Sequence, residues 1–468
     1  MATAALLLTF AAVVGQVESA SVASARAGFA EVDITPPVGI DLGGRGCSGE
    51  ASSELLDTLS AQATVLADGR GSKLAIVSLD LIGLAGSYGE RLRADIAARL
   101  GVPPANVLVN CSHTHSGPMM NRETLAACGE PTELERRYLA DLAAKVVDIC
   151  GAAERGLQPV RVAVHEGTSD VGINRRNRGP NGEMAMLPHA AGPYERRVWI
   201  LQMQTPEGRP AGVWFSYPCH PVIVYGYARR GISGEFPSFA RREIRAALGS
   251  GVHVQFLQGC AGDIRPRVTA DLDKGRFRKT TAADRDRAGR DLAAAVLAGL
   301  KQPGRTLTLD IAARTTRVEL KRGKPPAESF YANVAKGDDY RARAARYWLE
   351  EYSRGGPTNT TTNWAIGVVR LSSDQWMCWM GGEPVVEWTP LVRAWFDGRP
   401  VVTFGYTQEV PGYLPVDTLL DEGGYEVTSS NYFRTGNPAP FAPGLNDAVR
   451  RGVGAMLRDI EGLTTSRP

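Results

Sequence analysis

The chain has 468 residues, of which 43% are hydrophobic and 22% are charged, and its formal net charge is +3. This composition predicts a globular protein with a large core, divided into one large domain or two ordinary ones. The basic residues are mixed with acidic ones and form no dense run, which excludes the usual pattern of a nucleic-acid-binding protein.

The N-terminus has the pattern of a secretory signal peptide. Residues Ala4–Gly15 are apolar but too few to span a bilayer, and Ala23–Ala25 (Ala-Ser-Ala) matches a cleavage site. We expect residues 1–25 to be a signal peptide and the mature protein to be secreted or periplasmic. An incorrectly assigned start is the alternative, because no Lys or Arg precedes the apolar run. No later segment has the length and apolarity of a transmembrane helix.

Apolar runs rich in β-branched residues alternate with segments of helical periodicity. This alternation predicts an α/β fold with a mixed β-sheet core flanked by helices. The predicted strands are Leu74–Leu81, Val107–Asn110, Val160–His165, Val198–Gln204, Gly212–Tyr217, Val252–Leu257, Gly367–Leu371, Trp376–Met380 and Val401–Tyr406. The predicted helices are Tyr88–Leu100, Glu133–Ala152, Ser238–Leu248, Ala282–Leu300, Tyr340–Tyr352, Val385–Phe396 and Asn446–Ile460.

Two connections between these elements are informative. Residues Gln204–Ala211 contain Pro-Glu-Gly, which predicts a hairpin turn. The stretch Lys301–Asn363 is the richest in charge, Gly and Pro, and is interpreted as a linker, an insertion or a lid. Because neither feature marks a domain boundary, residues 27–468 are expected to form one domain.

The cysteines do not form a recognisable framework. There are seven, widely spaced and without a C-x-x-C motif, which excludes a disulfide scaffold or a cysteine zinc finger as the organising principle. One or two bridges are compatible with this pattern. Cys111, Cys219 and Cys260 are expected to be small buried packing residues.

The segment Asn110–Pro118 (Asn-Cys-Ser-His-Thr-His-Ser-Gly-Pro) follows a buried-type strand directly. In extended backbone, residues i and i+2 point to the same side, so His113 and His115 can face one site. Ligand sites of α/β sheets lie beyond the carboxyl ends of strands. An isolated pair of this kind is nevertheless more often structural than metal-binding.

Four further strands also end in a polar residue within a Gly- or Pro-containing loop. These residues are His220, Asp263, Glu383 and Tyr413. A single instance is ordinary loop chemistry, but five in one chain indicate one shared rim of the sheet. We therefore expect the site at the carboxyl ends of the strands.

A catalytic zinc ion takes about three protein ligands and keeps one position open. Of the six histidines, His165 and His253 are expected in strands and His189 at the surface. His113, His115 and His220 remain as site candidates. The sequence offers the common set of two histidines and one carboxylate as His113, His220 and Glu383. Other chemistries lack their motifs: there is no G-x-S-x-G, H-E-x-x-H, Walker A or dinucleotide-binding fingerprint.

Four motifs together resemble the neutral (non-lysosomal) ceramidase family. They are Ala30–Pro37 (Ala-Glu-Val-Asp-Ile-Thr-Pro-Pro), Cys111–Pro118, Gly172–Arg175 and Gly262–Pro266 (Gly-Asp-Ile-Arg-Pro). The resemblance covers roughly residues 27–430. It implies a Zn²⁺-dependent hydrolase that cleaves the amide bond of an N-acyl lipid.

The resemblance also implies roles for individual residues. It implies a zinc site of His113, His220, Glu383 and Tyr413. It implies His115 as a histidine beside the metal-bound water, Arg175 as a substrate contact and Tyr425 as the donor to the developing oxyanion. From the chemistry of the site, we further expect Asp263 to orient a histidine through its second nitrogen.

One departure from the family pattern concerns the substrate. Arg265 stands where the family has a serine implicated in catalysis, and Arg265 and Arg267 are interpreted either as partners of an anionic substrate group or as surface ion pairs. Three hypotheses remain open: an amidase for N-acyl lipids or related compounds, a zinc hydrolase acting on an ester, lactone or carbohydrate-linked group, and a non-catalytic metal-stabilised binding protein. The expected partner is a small-molecule or lipid substrate.

Overall fold

The structure, a computed structural model, describes residues 25–47 and 49–465. The predicted signal peptide, residues 1–25, therefore lies outside the described residues except for Ala25. Within the described ranges, no helix combines the length and the apolarity needed to cross a bilayer.

Three sheets of four or five strands form the core. In spatial order, the N-terminal sheet contains Val107–Cys111, Lys73–Leu79, Ser60–Ala67, Arg26–Asp33 and Gln158–Pro159. The central sheet contains His253–Gln258, Pro210–Tyr217, Arg197–Gln204, Arg161–Thr168 and Arg305–Leu307. The C-terminal sheet contains Ala312–Lys321, Thr361–Ser372, Gln375–Met380 and Val401–Phe404.

Each of the three sheets is antiparallel except for one edge strand, which pairs in parallel with its neighbour. These parallel edge strands are Val107–Cys111, His253–Gln258 and Val401–Phe404. Both strands of a parallel pair point their carboxyl ends the same way. In each sheet, the two chain segments that follow the parallel pair therefore leave the sheet at the same end.

The three parallel edges meet at Asn110, which is 2% exposed. Its side-chain amide donates to the carbonyl oxygens of Gly405 and Gln258, and its Oδ1 accepts from the backbone N–H of Gln258 at 2.8 Å. The predicted mixed α/β architecture is confirmed. The expectation of one shared rim is corrected, because the loops leave from three sheets whose edges converge.

Shorter sheets lie around this centre. A three-stranded sheet contains Ile264–Pro266, Gly172–Arg178 and Met184–His189. The two-stranded pairs are Glu54–Leu55 with Gly231–Ile232, Ala270–Asp271 with Arg276–Phe277, and Glu383–Pro384 with Tyr413–Leu414. The last pair brings two of the predicted site residues next to each other.

The described residues form eight α-helices, most of which pack on the sheets. They are α1 (Gly86–Leu100), α2 (Glu133–Arg155), α3 (Glu235–Leu248), α4 (Ala282–Leu300), α5 (Glu328–Val334), α6 (Tyr340–Ser353), α7 (Trp388–Ala394) and α8 (Leu445–Thr465). Helix α2 packs on the N-terminal sheet, α4 on the central sheet and α8 on the C-terminal sheet. Helix α2 begins with a capping box between Thr132 and Glu135, a motif that satisfies two backbone donors at a helix start.

The predicted strands and helices all have counterparts, with shifted ends. The helix predicted at Val385–Phe396 is shorter and spans Trp388–Ala394, whereas the strand predicted at Gly367–Leu371 is longer and spans Thr361–Ser372. The predicted hairpin is confirmed, since Arg197–Gln204 and Pro210–Tyr217 pair in antiparallel fashion. The stretch Lys301–Asn363 contains ordered elements, including a ten-residue strand and the helices α5 and α6.

A disulfide joins Cys47 to Cys128, and the other five cysteines are buried and free. The bridge links a glycine-rich loop to the segment 121–128, and both contribute to the cavity described below. Free Cys111, Cys219 and Cys260 are buried, as expected.

We expect the double substitution Cys47→Ser and Cys128→Ser to destabilise the protein. The cysteines are 81 residues apart, and releasing a loop of that length costs about 4 kcal/mol in the chain-entropy model. For a chain of this size, that loss corresponds to a Tm decrease of about 4 °C in calorimetry. Wild type treated with reductant should unfold at the same temperature as the double variant. An unchanged Tm in both would contradict the prediction.

Candidate metal centre

His113, His220 and Glu383 come together although they lie on three different sheet edges. Glu383 Oε2 is 3.2 Å from His113 Nε2 and 3.3 Å from His220 Nε2. All three residues are buried, and His220 is 0% exposed. The predicted convergence of these residues is therefore present in the fold.

Both imidazole rings are oriented by backbone carbonyls. Nδ1 of His113 donates to the Ile82 carbonyl oxygen, and Nδ1 of His220 donates to that of Ala261 at 2.6 Å. A carbonyl can only accept a hydrogen bond, so each Nδ1 carries a proton. In each ring, Nε2 is therefore the nitrogen that faces Glu383 and is placed to bind a metal ion.

Polar atoms of the centre are incompletely satisfied. His220 Nε2 and Glu383 Oε2 are buried and have no hydrogen-bond partner within the described part of the chain. Burial, together with the nearby charge of Arg175, lowers the pKa of His220 to about 3, so this ring is neutral. Its lone pair and a carboxylate oxygen at this distance repel one another unless a cation lies between them.

The spacing of these atoms fits a zinc ion. With metal–ligand bonds of about 2.0–2.1 Å, neighbouring ligands of a tetrahedron lie about 3.4 Å apart. The observed separations of 3.2 and 3.3 Å are close to that edge length. The donor set, two neutral imidazoles and one carboxylate, is also a common catalytic zinc set.

His115 lies beside this centre and offers an alternative ligand set. Its Nε2 is 3.2 Å from His113 Nε2. His113, His115 and His220 could together hold a metal ion, because one nitrogen from each lies within 4.8 Å of the others. His115 is half-buried and lines a cavity, whereas His220 does not line it.

The backbone around the centre adopts an unusual conformation. His113, Tyr406 and Gln408 have positive φ angles of 68°, 50° and 69°. Such angles are unfavourable for residues other than glycine and are often found at functional sites. The backbone N–H of His113 is held by the Leu81 carbonyl oxygen at 2.9 Å, which helps to fix this conformation.

Tyr406 belongs to the centre although the sequence analysis did not identify it. Its ring centroid lies 4.4 Å from that of His113 and 6.1 Å from that of His220. The side chain is fully buried and its hydroxyl has no partner among the described residues. The strand prediction had placed Tyr406 at a strand end, without a polar motif to distinguish it.

Tyr413 is held by a buried charged network. Its hydroxyl accepts from Arg175 Nη2 at 3.0 Å, and Arg175 Nε donates to Glu426 at 2.7 Å. The second oxygen of Glu426 accepts from Arg176 at 2.9 Å. Arg175 thus lies behind Tyr413, and its predicted substrate contact stays a prediction, as does metal coordination by Tyr413. Glu426, which neutralises the two arginines, was missed.

Asp263 does not orient a histidine, contrary to the expectation. One carboxylate oxygen accepts from the backbone N–H of Val386 at 2.8 Å and the other from the side-chain amide of Asn174 at 2.7 Å. The carbonyls of Ile82 and Ala261 orient the rings instead. Asp263 therefore ties three loops together next to the centre, and a direct catalytic role has no support from these contacts.

Arg265 and Arg267 are engaged outside the centre. The Arg265 guanidinium lies 4.2 Å from the ring centroid of Phe277. Arg267 Nε donates to the Asp170 carbonyl oxygen at 3.0 Å, and its guanidinium stacks on Tyr194. These are stacking and backbone contacts rather than the ion pairs considered from the sequence.

A cavity of about 660 Å³ opens onto the centre. His113, His115, Glu383, Tyr413 and Tyr425 line it. Tyr425 is 38% exposed, and its ring centroid lies 5.3 Å from that of Tyr413. The other walls come from the glycine-rich loop, the segment 121–125, residues 330–341 and residues 429–434. The stretch interpreted as a linker, insertion or lid thus forms part of the cavity wall.

Comparison with known proteins identifies the fold. No protein-family model matches the sequence. A solved ceramidase complexed with C2 superposes with a TM-score of 0.69 at 17% identity, over 93% of this chain and 75% of that one. The neutral ceramidase from Pseudomonas aeruginosa gives a TM-score of 0.68 at 17% identity, with the same coverage. This chain has the fold of those ceramidases.

Proposed function

We propose that this protein is a zinc-dependent hydrolase that cleaves the amide bond of an N-acyl compound. The observation that carries the proposal is the group His113, His220 and Glu383, in which Glu383 Oε2 lies 3.2 and 3.3 Å from the two histidine Nε2 atoms beside a cavity. Among the described residues, His220 Nε2 and Glu383 Oε2 have no hydrogen-bond partner. The fold shared with two ceramidases supports amide hydrolysis and an N-acyl lipid or a related compound as substrate.

The metal and the surrounding residues have separate tasks. When bound, Zn²⁺ polarises a carbonyl and lowers the pKa of a bound water to about 7. His115 accepts the proton of the attacking water at Nε2 while the water oxygen bonds to the carbonyl carbon. As the C–N bond breaks, His115 returns the proton to the leaving amine nitrogen. Tyr425 donates from its hydroxyl to the developing oxyanion, a contact of roughly 3 kcal/mol in comparable sites.

Arg175 is proposed as a positioning residue. Its Nη2 donates to the Tyr413 hydroxyl, and Glu426 holds its Nε, so the phenol oxygen keeps a lone pair directed away from Arg175. This arrangement supports Tyr413 as the fourth protein group at the metal. The hydrophobic and aromatic cavity walls limit access of bulk water during the reaction.

The test is metal analysis combined with a substrate panel. Purified protein should contain about one zinc ion per chain, and a chelator followed by zinc should remove and restore hydrolysis of a short-chain N-acylsphingosine. Chelation without loss of turnover, or protein that does not retain zinc, would overturn the proposal.

A second candidate is the same zinc chemistry acting on an ester, a lactone or a carbohydrate-linked group. Arg265 favours it, because a bulky cation replaces a serine of the resembled family and lies against Phe277. Matched ester and glycoside substrates in the panel separate the candidates. Zinc in the protein with turnover of esters alone would establish the second one.

We expect His115→Gln to retain zinc and to lower kcat by about a hundredfold to a thousandfold, because a general acid–base residue typically contributes that much. Elemental analysis and the pH profile of kcat are the measurements. Loss of zinc in this variant would instead identify His115 as a ligand and favour the three-histidine set. Wild-type turnover with zinc retained would contradict the assigned role.

Secretion of the protein also remains part of the proposal. It rests on the N-terminal sequence pattern, and the Cys47–Cys128 disulfide supports it because such bridges persist mainly in oxidising compartments.

A further inference from the structure

One side of the cavity is apolar. Helix α5 contributes Phe330 and Val334, and the facing segment contributes Tyr432 and Phe433. The Phe330 ring centroid lies 5.3 Å from that of Tyr432 and 6.3 Å from that of Phe433. We call these four residues the apolar wall.

The apolar wall is firmly anchored. The hydroxyl of Tyr331 on α5 donates to the Tyr432 carbonyl oxygen at 2.9 Å, and the indole N–H of Trp348 on α6 donates to that of Arg434 at 3.2 Å. Tyr331 and Trp348 are almost completely buried. Arg343 on α6 also donates to the Cys47 carbonyl oxygen at 2.6 Å, next to the disulfide. These contacts fix the width of the cavity.

Polar residues border the apolar wall. The connection between α5 and α6 contributes Asp338 and Asp339 to the cavity, and α6 begins with Tyr340 and Arg341. The Tyr340 ring centroid lies 6.4 Å from that of Phe433, and the Arg341 guanidinium lies 5.9 Å from the centroid of the same ring. A cavity lined by both apolar and polar groups fits an amphiphilic ligand, and about 660 Å³ is within the usual range for compact small molecules.

We propose that the α5–α6 pair determines specificity and restricts the site to N-acyl compounds with a short acyl chain, seated on the apolar wall with the amine portion towards Asp338–Arg341. Phe330 and Val334 are four residues apart, a rise of about 6 Å along a helix, which is roughly the length of five extended methylenes. Longer chains then extend beyond this wall into the polar part of the cavity. This inference rests on the proposed hydrolase function.

The test compares acyl-chain length profiles. The substrates share one amine and carry butanoyl, hexanoyl, octanoyl, dodecanoyl or hexadecanoyl groups, and the zinc-loaded enzymes are wild type, Phe330→Ala and the control Glu350→Ala. Glu350 is exposed and pairs with Arg354 on the outer side of α6. Each buried methylene contributes a factor of about four in affinity.

In wild type, kcat/KM should rise up to hexanoyl or octanoyl and then level off or fall. Phe330→Ala shortens the apolar wall, so kcat/KM for the hexanoyl and octanoyl substrates should fall about tenfold, through KM rather than kcat. The Glu350→Ala profile should coincide with that of wild type. A steady rise to hexadecanoyl in wild type, unaffected by Phe330→Ala, would overturn the specificity assignment while leaving the hydrolase function intact.

Absence of turnover with every substrate would contradict the proposed hydrolase function, but it would not address the chain-length preference of the cavity. Calorimetric binding of carboxylates with the same chain lengths then decides the second question. Affinity that levels off after hexanoate or octanoate in wild type, and that falls about tenfold in Phe330→Ala, supports the inference. Undetectable binding, or affinity that ignores chain length or the substitution, refutes it.

Discussion

The His220→Ala variant is expected to lose its zinc and at least about a thousandfold in kcat/KM, since a metal supplies several kcal/mol of transition-state stabilisation and each 1.36 kcal/mol is a factor of ten. His220 is fully buried, and its Nε2 has no partner in the described chain, although Nδ1 is held by Ala261. Alanine removes this nitrogen without providing a replacement donor atom. Elemental analysis and zinc titration measure the loss directly, and turnover measures its consequence.

His253→Ala is the matched control. His253 is also a buried histidine of the central sheet, and it lies at the start of the strand whose carboxyl end leads towards the metal centre. Its ring stacks on that of Phe29 at the start of this strand, whereas the metal centre lies beyond the other end of the strand. Both substitutions remove a buried imidazole, but only His220→Ala should release zinc. Equal zinc content in the two variants would mean that His220 is not a ligand.

Strong local patterns in the sequence predict much of the fold. The buried strand Val107–Cys111 begins with the apolar run Val-Leu-Val, and α2 has both a capping box and helical periodicity. The strand Ala312–Lys321 was not predicted because it is an edge strand with exposed Thr and Arg residues, so its sequence resembles a loop. Strands such as Arg26–Asp33, which owe their pairing to distant partners, were also missed.

The candidate metal ligands could be identified because polar side chains recur at the exits of several strands. The groups that orient them could not be predicted in the same way. The carbonyls of Ile82 and Ala261 belong to apolar residues, and every residue has such a group, so no side-chain signal marks them. Asp263 was assigned to that task in error, since its carboxylate satisfies a backbone amide and Asn174. Glu426 is recognisable only once Arg175 and Arg176 are seen to converge on it.

The largest effect on stability is expected from Arg241→Met. Arg241 on α3 donates to both oxygens of Asp80, at 2.9 and 2.6 Å, and both residues are buried. Methionine retains much of the side-chain volume but leaves the Asp80 charge buried without its partner. Breaking a buried pair in this way typically costs about 3–5 kcal/mol.

This ion pair also connects the fold to the metal centre. Asp80 precedes Leu81 and Ile82, whose carbonyls hold the backbone and the ring of His113, so the variant should also bind zinc more weakly. Urea unfolding of the single variants and of the double variant Arg241→Met with Asp80→Asn measures the coupling, and the second substitution should recover part of the loss. Arg245→Met is the control, because Arg245 lies one turn later on α3 in a partly exposed pair with Glu31, where the loss should stay near 1 kcal/mol or below. Equal losses for Arg241→Met and Arg245→Met would show that burial of the Asp80 charge does not determine the stability of this region.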